Sequence, residues 1–462
     1  MDQELLDKVI KAYDIRGLVD EEISADFTFA LGIAFAKFIE REREPATIVV
    51  GEDMRPSSPD LATAFSDGIT SQGLDVIRIG LCSTDQLYFA SGALNMPGAM
   101  FTASHNPAQY NGIKLCRSGA KPIGQESGLA WIKSAIAQGF PIPNRPMGKE
   151  RSQDLLDDYV KFLFSLFPEK SFAPDFQSRP LRIAIDAGNG MGGHTAPAVM
   201  RGINAIVDGI YFELDGSFPN HEANPIEPKN LVDLQNLVRE KGSDIGLAFD
   251  GDADRCFLVD EKGNLVSPSA LTALIAKREL IKNPGASIIY NLICSKAVPE
   301  VITESGGRPL RSRVGHSYIK QMMADEGAVF GGEHSGHFYF KDFWSADSGM
   351  LAALHAIAAL LESQIPLSEL MQSFNRYSLS GEINTTVIDQ GKAIDKIKSH
   401  FKDYEPGLTF DELDGLTVKA KNWWFNLRSS NTEPLLRLNV EADTQEQMAS
   451  MRDLVLQLIR NG

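Results

Sequence analysis

The segment Leu181-Arg-Ile-Ala-Ile185, followed directly by Asp186-Ala-Gly-Asn-Gly190, decides the fold of this chain. Its first half is a short apolar run typical of a β-strand, and its second half is a turn of small and polar residues. Helix-like sequence comes next. A strand that enters a helix through a tight loop is the beginning of a strand-loop-helix unit, so this segment predicts an α/β domain.

Two other segments repeat this order. They are Thr47-Ile-Val-Val50 before Gly51-Glu-Asp-Met-Arg-Pro-Ser-Ser58, and Ala286-Ser-Ile-Ile-Tyr290 before Asn291-Leu-Ile-Cys-Ser295. Because the three starts lie a little over a hundred residues apart, they indicate three related α/β units.

The carboxy-terminal part has a different pattern. It predicts a strand over 383–388, a helix over 393–401, two or three strands within 416–440 and a helix over 444–459. This order indicates a separate α+β module. Pro-rich or polar stretches at 141–146, 260–263 and 373–380 are candidate linkers, and we expect domains over 1–150, 151–260, 261–373 and 374–462.

Composition limits the classes of function. The 462 residues are 43% hydrophobic and 23% charged, which is typical of a soluble chain of several domains. A net charge of −16 argues against a general nucleic-acid or membrane binder, although a local basic pocket could still hold an anionic substrate. The four cysteines form no Cys-x-x-Cys pair, and no run approaches the ~18 apolar residues of a spanning helix. We therefore expect a cytoplasmic protein.

Asp250-Gly-Asp252-Ala-Asp254-Arg255 is the strongest chemical signal. Three carboxylates at alternating positions of a loop can converge on one hard cation, while Arg255 stays free to bind an anion. An EF-hand loop begins in the same way, but it needs glycine where Arg255 stands. The remaining alternative is a solvated acidic turn at a strand end.

An upstream turn carries a second candidate site, in Thr102-Ala-Ser104-His105-Asn-Pro107. The residue before a proline avoids helical geometry, so Ser104 and His105 should lie on a tight exposed turn. Ser104 could act as a nucleophile or phosphoryl carrier, or it could simply bond its own backbone. A hydrolase triad is less favoured, because no Gly-x-Ser-x-Gly motif surrounds Ser104.

Two downstream loops have the residues needed to hold a sugar phosphate. In Gly332-Glu333-His-Ser335-Gly-His337, the acid and the hydroxyl suit vicinal sugar hydroxyls, and a zinc site is the weaker alternative. In Arg428-Ser-Ser-Asn-Thr-Glu-Pro434, an arginine before hydroxyls and an amide suits a phosphate group, although the same residues could form a plain hairpin connection.

A fifth motif has a competing interpretation. Gly188-Asn-Gly190-Met-Gly-Gly193 fits the Gly-x-Gly-x-x-Gly pattern of dinucleotide sites, with Asp208 at a tolerable distance. His194 stands where a Walker loop needs lysine. We interpret the glycines as tight strand-to-helix packing, and a dinucleotide-dependent oxidoreductase remains the alternative from another class.

Taken in this order, the four chemical segments resemble the α-D-phosphohexomutase superfamily, most closely its bacterial phosphomannomutase/phosphoglucomutase branch. The similarity runs from Lys11-Ala-Tyr13-Asp-Ile-Arg16-Gly17 to the Arg428 loop. The resemblance implies an α/β fold in which three related α/β domains with mixed sheets surround a central cleft, plus a C-terminal α+β domain. It also implies conversion of hexose 1-phosphate and hexose 6-phosphate into each other through a phosphoserine and a bisphosphate.

The same resemblance implies mannose as the sugar, with glucose next and phosphoglucosamine mutase as the alternative within the superfamily. The expected partners are hexose phosphate and hexose 1,6-bisphosphate, without nucleic acid or membrane, and the expected state is a monomer or weak dimer. One departure is His334, where relatives often carry methionine, so the sugar preference does not transfer directly.

Site residues are also implied by the resemblance. The catalytic residues would be Ser104, Arg16, Lys114, His105 and Arg255; the Mg²⁺ ligands would be Ser104, Asp250, Asp252 and Asp254; and the substrate-binding residues would be Tyr13, His316, Glu333, Ser335, His337, Arg428, Ser430, Asn431 and Thr432.

Overall fold

One arrangement of strands occurs three times along the chain. The computed structural model describes residues 2–141, 143–172, 179–429 and 435–460, and within these ranges the strands form four sheets. In each of the first three sheets, a central strand pairs in parallel with two neighbours, and one neighbour continues as an antiparallel hairpin. The shared order confirms the prediction of three related α/β units.

The first domain is the largest of the three. Its strands are Ile15–Leu18, Thr47–Glu52, Asp75–Leu81, Gly98–Phe101, Tyr110–Arg117, Lys121–Pro122 and Glu150–Ser152. Its helices are Gln3–Val9, Ala25–Glu42, Ser58–Ser71, Thr84–Leu94, Gln125–Leu129 and Ala130–Gln138. The segment 141–146, predicted to be a linker, leads to the last strand of this same sheet.

Helix Ala25–Glu42 shows how local sequence determines where a helix begins and ends. Ser24 begins it, because its hydroxyl accepts a hydrogen bond from the Phe27 amide at 3.2 Å. Its buried face includes Leu31 and Phe35, and Arg43 ends it in the left-handed conformation at φ 58°. The cap, the buried face and the end of this helix are therefore all determined by local sequence.

The second domain has a shorter sheet. Its strands are Leu181–Asp186, Ala205–Ile210, Ile245–Phe249, Cys256–Asp260 and Leu265–Val266, and its helices are Leu156–Ser165, Gly192–Met200, Pro228–Leu231 and Val232–Lys241. The segment 260–263, predicted to be a linker, is instead the turn of a hairpin, because the Gly263 amide bonds the Asp260 carbonyl at 2.8 Å and the next strand pairs back.

The third domain contains helix Gly349–Ser363, in which 12 of 15 residues are buried. Its strands are Ser287–Asn291, Arg308–Ser312, Phe330–Gly332, Phe338–Phe340 and Ala346–Asp347. Its helices are Pro268–Lys282, Ala297–Glu304, His316–Glu326, Lys341–Phe343, Gly349–Ser363, Leu367–Leu370 and Met371–Ser373. Among the described residues no single helix is long and apolar enough to cross a membrane, although the pair Gly349–Ser363 and Leu367–Ser373, bent by 97°, passes that test jointly.

The fourth domain is an antiparallel sheet covered by two helices. Its strands are Ser378–Thr386, Thr409–Asp411, Leu416–Lys419, Trp423–Ser429 and Leu435–Ala442, and its helices are Gln390–Lys402 and Gln445–Arg460. Phe425 and Leu427 pack against the helices. Trp424, Asn426 and Arg428 alternate with them and therefore lie on the opposite face, toward the third domain.

The predicted chemical segments lie at equivalent places in their domains. Each segment lies in, or directly before, the loop that joins two antiparallel strands of a hairpin. One cluster of buried apolar residues draws on all of the first three domains, which also have clusters of their own, whereas the fourth domain has only its own cluster among the described residues. This arrangement brings several hairpin loops together around one cleft.

Candidate active site

Ser104 lies at the base of the cleft and not on an exposed turn as predicted. The turn itself is present, since Ser104 has φ 50° and its amide donates to the Thr102 hydroxyl at 2.9 Å. Only 2% of Ser104 is exposed, because the second domain covers it. Its Oγ lies 2.9 Å from Asp250 Oδ2 and 3.2 Å from His105 Nδ1.

This geometry differs from that of a hydrolase triad. In a triad the histidine stands between the serine and the acid, whereas Asp250 contacts Ser104 directly. Burial, together with the nearby Arg255 and Arg16 cations, holds the pKa of His105 well below its usual value. His105 is therefore a neutral imidazole beside the Ser104 hydroxyl.

Arg55 holds the serine loop from below and was not predicted from the sequence. Its guanidinium donates to four carbonyl oxygens at 2.7–2.9 Å, those of Ser104, Asn106, Pro107 and Tyr110. Its Nε lies 3.2 Å from Asp53, and both side chains are buried. A buried arginine with a fixed fork of donors can lock a loop that has no regular structure. The only sequence signal was an arginine in the first strand-to-helix loop.

Asp250, Asp252 and Asp254 converge as predicted. Each offers an oxygen within 4.8 Å of the others, and all three side chains are buried. Lys114 Nζ lies 2.6 Å from both Asp252 and Asp254, and the Thr84 hydroxyl donates to Asp252 at 2.6 Å. The interpretation as a solvated acidic turn is therefore wrong.

The charges of these groups depend on one another. Burial, reinforced by Asp254 and Asp252, raises the pKa of Asp250 well above its usual value. Burial also opposes ionisation of Asp252, but Lys114 outweighs it and the pKa of Asp252 is lowered. Burial likewise opposes the charge on Lys114, and the two carboxylates nevertheless raise its pKa. Three buried acids so close together favour a site for a cation.

The residues fit a hard divalent metal ion. The Oδ1 atoms of Asp252 and Asp254 are buried and have no hydrogen-bond partner among the described residues. Such oxygens are costly unless a cation or donor meets them, and carboxylate oxygens are the ligands that magnesium and calcium prefer. Ser104 Oγ is close enough to Asp250 to share that cation.

Arg255 connects the metal loop to the predicted sugar loop. Its Nε lies 3.4 Å from Asp250 Oδ2 and donates to His337 Nε2 at 3.2 Å. The Ser335 hydroxyl in turn donates to Glu333 at 2.9 Å and lies 3.0 Å from His337 Nδ1. The structure therefore places Arg255, Glu333, Ser335 and His337 together.

Arg16 and Tyr13 close the site from the first domain. Arg16 donates to Asn106 Oδ1 and to Asp14 at 2.6 Å each, so it supports the serine loop. The Tyr13 ring packs edge to face on Tyr318, with ring centroids 6.1 Å apart. His316 begins the helix that carries Tyr318.

His334 does not point toward the predicted sugar-binding groups. Its Nδ1 lies 3.2 Å from the Ser269 hydroxyl, and burial lowers its pKa. Its two sequence neighbours, Glu333 and Ser335, bond each other instead. The structure accordingly places the unusual histidine behind the loop.

Arg428 lies in the fourth domain next to Glu382, 2.5 Å from its Oε2. Arg437 reaches the other oxygen of Glu382 at 3.1 Å. Two cations therefore share one carboxylate, which leaves positive charge for an anion. The predicted phosphate contacts Ser430, Asn431 and Thr432 lie outside the described residues.

The glycine-rich loop serves the metal site and not a dinucleotide. The Met191 amide donates to the Gly251 carbonyl at 2.9 Å, and a Cβ on Gly190 would lie 2.6 Å from that oxygen. Protein atoms thus occupy the space that a pyrophosphate would need. Asp208, the candidate ribose ligand, lies 3.3 Å from Arg182 in an ion pair.

Four hairpin-based domains with a buried serine against an acidic triad define a class of enzyme that moves phosphoryl groups with the help of a metal. Each part of the chain also matches a known family. Residues 7–140, 157–263 and 267–377 match domains I, II and III of phosphoglucomutase/phosphomannomutase, each an alpha/beta/alpha domain, and 382–458 match its C-terminal domain. The chain belongs to the phosphoglucomutase/phosphomannomutase family.

Individual relatives align with this chain over nearly its whole length. A phosphomannomutase of Escherichia coli K12 is 39% identical over 94% of both chains. An enzyme of Xanthomonas campestris named phosphohexose mutases is 37% identical over 93% of this chain and 94% of its own. A crystal structure of a family member from Burkholderia thailandensis, 30% identical, covers 100% of this chain and 99% of that one with a TM-score of 0.86.

Proposed function

We propose that this protein is a phosphohexomutase that converts mannose 1-phosphate and mannose 6-phosphate into each other, with the glucose phosphates as second substrates. The observation that carries the proposal is the buried Ser104 hydroxyl, 2.9 Å from Asp250 in a cleft that also contains the sugar-loop acid Glu333. The family assignment supports the hexose phosphates as substrates, and the relatives' names favour mannose.

Ser104 is proposed to be the phosphoryl carrier. In the first transfer the Oγ–P bond of phosphorylated Ser104 breaks, a sugar hydroxyl oxygen forms the new bond to phosphorus, and the hydroxyl proton ends on Ser104 Oγ. The sugar is then a 1,6-bisphosphate. In the second transfer the other sugar O–P bond breaks, the Ser104 Oγ–P bond forms again, and the serine proton ends on the released sugar oxygen, so the net reaction is an isomerisation.

Asp250, Asp252, Asp254 and Ser104 would hold Mg²⁺. The ion would neutralise negative charge on the phosphoryl group in transit. Arg255 adds a second positive charge on the side of the site that faces His337. Arg16 and Lys114 are proposed to stabilise charge at the serine, because Arg16 supports the loop and Lys114 joins the acids.

The remaining groups are proposed to orient the sugar. Glu333 and Ser335 would bond the hydroxyls that remain equivalent in both orientations, with His337 behind them. Tyr13 and His316 are proposed to contact the substrate as well. Arg428, with Ser430, Asn431 and Thr432, would hold the phosphate that is not reacting, and a monomer or weak dimer is the proposed state.

Ser104→Ala is the variant that tests the proposal. Without the carrier oxygen, we expect mutase turnover to fall by at least 10⁴-fold, while the thermal unfolding midpoint stays within a few degrees of wild type. The measurement is a coupled assay with mannose, glucose, glucosamine and N-acetylglucosamine phosphates, with Mg²⁺ and a trace of hexose bisphosphate.

Ser134→Ala is the matched control, since this serine lies on a helix of the same domain and bonds only the Ala130 carbonyl. It should keep full activity. Full turnover in Ser104→Ala would contradict the proposed mechanism. If the wild-type protein turned over only glucosamine phosphate, it would belong to the phosphoglucosamine mutase branch.

A further inference from the structure

A basic cavity lies between the third and fourth domains, away from the residues assigned to catalysis. It has a volume of about 130 Å³, and its walls include Lys296 and Arg311 from the third domain. Lys419 and Lys421 line it from the fourth domain, beside Trp423 and Trp424. Among the described residues that line it, none is an aspartate or glutamate.

This concentration of positive charge is unusual in a chain with a net charge of −16. Arg311 is paired with Asp411, and Lys296 lies 2.7 Å from Asp443, so two of the four cations are compensated. Lys419 is half-buried and has no hydrogen bond or ion pair with the side chains that the structure describes. Burial and the neighbouring Arg311 cation lower its pKa. The Asp411 carboxylate offsets part of the Lys419 charge. Lys421 has no ion pair among the described residues, so the cavity keeps some positive charge.

The cavity and the active site are separated along a single strand. Strand Trp423–Ser429 borders the cavity at Trp424 and carries Arg428 at its other end. Four residues of extended strand span about 13 Å. A ligand in the cavity would therefore not occupy the catalytic cleft, but it would contact two domains simultaneously.

We propose that this cavity binds a small phosphate-bearing dianion. Lys419 and Lys421 supply point charges from the wall of the fourth domain, and Arg311, although it is paired with Asp411, adds a cation on the opposite wall, a combination that suits phosphate oxygens. The volume accommodates one phosphate group with a few further atoms. The indole rings form an apolar wall that could contact the carbon part of a phosphate ester.

A tryptophan-fluorescence titration with inorganic phosphate tests this site, because two of the four tryptophans of the chain line the cavity. We expect a saturable change, and no such change with sodium chloride at equal ionic strength. Lys419→Met should weaken phosphate binding at least ten-fold. Lys421→Met, whose side chain is exposed, should weaken it several-fold without risk to folding.

Two controls separate this site from its neighbours. Lys398→Met removes a half-buried lysine of the same domain that is paired with Glu412, and it should leave the phosphate affinity unchanged. Arg428→Met should also leave the phosphate affinity of the cavity unchanged, because Arg428 lies at the other end of the strand and does not line the cavity. A parallel titration with glycerol 3-phosphate shows whether an ester binds more tightly than free phosphate.

Unchanged phosphate affinity in both lysine variants would overturn the proposal. So would a loss of affinity in Arg428→Met equal to that in Lys419→Met, because the titration would then report the active site. The same fluorescence change with chloride would show a general salt effect and would also overturn it.

Discussion

At the scale of single residues, Arg55 controls the position of the proposed phosphoryl carrier. It bonds four carbonyls of the serine loop and pairs with the buried Asp53. In Arg55→Met we expect turnover to fall about 100-fold, because a small displacement of a reacting group has an effect of that order. The free energy of unfolding should fall by about 3–5 kcal/mol, because Asp53 is left buried without its partner.

The double variant Asp53→Asn/Arg55→Met separates these two effects. Removing the unpaired carboxylate should restore part of the stability, but it cannot return the serine loop to its place. Enzyme assays and urea unfolding of the three proteins measure both quantities. If turnover returned together with stability, Arg55 would be a residue for stability alone.

The residues that could be predicted at this scale share a property. Asp250, Asp252, Asp254 and Ser104 lie in short motifs whose chemistry is visible locally. Arg55 and Thr84 act on partners about 50 and 168 residues away. A short motif carries no information on such distant contacts. The roles of Arg55 and Thr84 therefore became visible only in the folded structure.

At the scale of elements, the glycine-rich loop after strand Leu181–Asp186 is a support for the metal loop. A Cβ at Gly190 would lie 2.6 Å from the Gly251 carbonyl oxygen, which is too close for any real contact. We therefore expect Gly190→Ala to displace the metal loop and to lower Mg²⁺ affinity at least ten-fold, as measured by calorimetric titration.

Gly391→Ala is the matched control for that substitution. Gly391 lies in the first turn of helix Gln390–Lys402, where a Cβ would meet only Asp389 Oδ1 at an ordinary contact distance of 3.6 Å, so alanine should be neutral or slightly stabilising. Unchanged Mg²⁺ affinity in Gly190→Ala would show that the two loops adjust independently.

Strands and helices were predictable where local pattern and packing agree. Helix Ala25–Glu42 has its cap, its apolar face and its end in consecutive residues. The turn at 260–263 was mistaken for a linker because glycine and charged residues suit both roles. Only the pairing of Leu265–Val266 with the preceding strand distinguishes them, and that pairing depends on tertiary structure.

At the scale of the whole molecule, the first three domains share an apolar cluster and also have clusters of their own. The fourth has its own cluster and meets the third through polar contacts such as the Lys296 amide to Glu441 and the Val314 amide to Asp414, both at 3.1 Å. Composition indicated several domains. It could not indicate how they are joined, because that depends on which faces remain apolar after each domain folds.

Asp85 lies where the first three domains meet, and it makes the junction sensitive to pH. Its carboxylate accepts hydrogen bonds from Ser83, from Tyr159 at 2.7 Å and from Ser348 at 2.6 Å. Burial raises its pKa to about 6, although these three hydroxyls lower it in part. The charged form is therefore less favourable in the folded protein than in the unfolded chain.

The sign of the effect follows from that raised pKa. Below the ordinary value near 3.8 the carboxyl is neutral in both states and has no pH-dependent cost. As the pH rises toward 6, the unfolded chain ionises first, so the folded state loses up to about 3 kcal/mol relative to a protein without this group. Above pH 6 the loss stays constant.

Asp85→Asn removes the titrating group and provides the comparison. The unfolding temperature of wild type, measured relative to this variant, should fall between pH 4 and pH 6 and then level off. Tyr159→Phe removes a hydrogen bond that favours the charged form, so the decline should extend to higher pH in that protein. A difference between wild type and Asp85→Asn that does not change with pH would mean that Asp85 titrates normally and that the junction is held by packing alone.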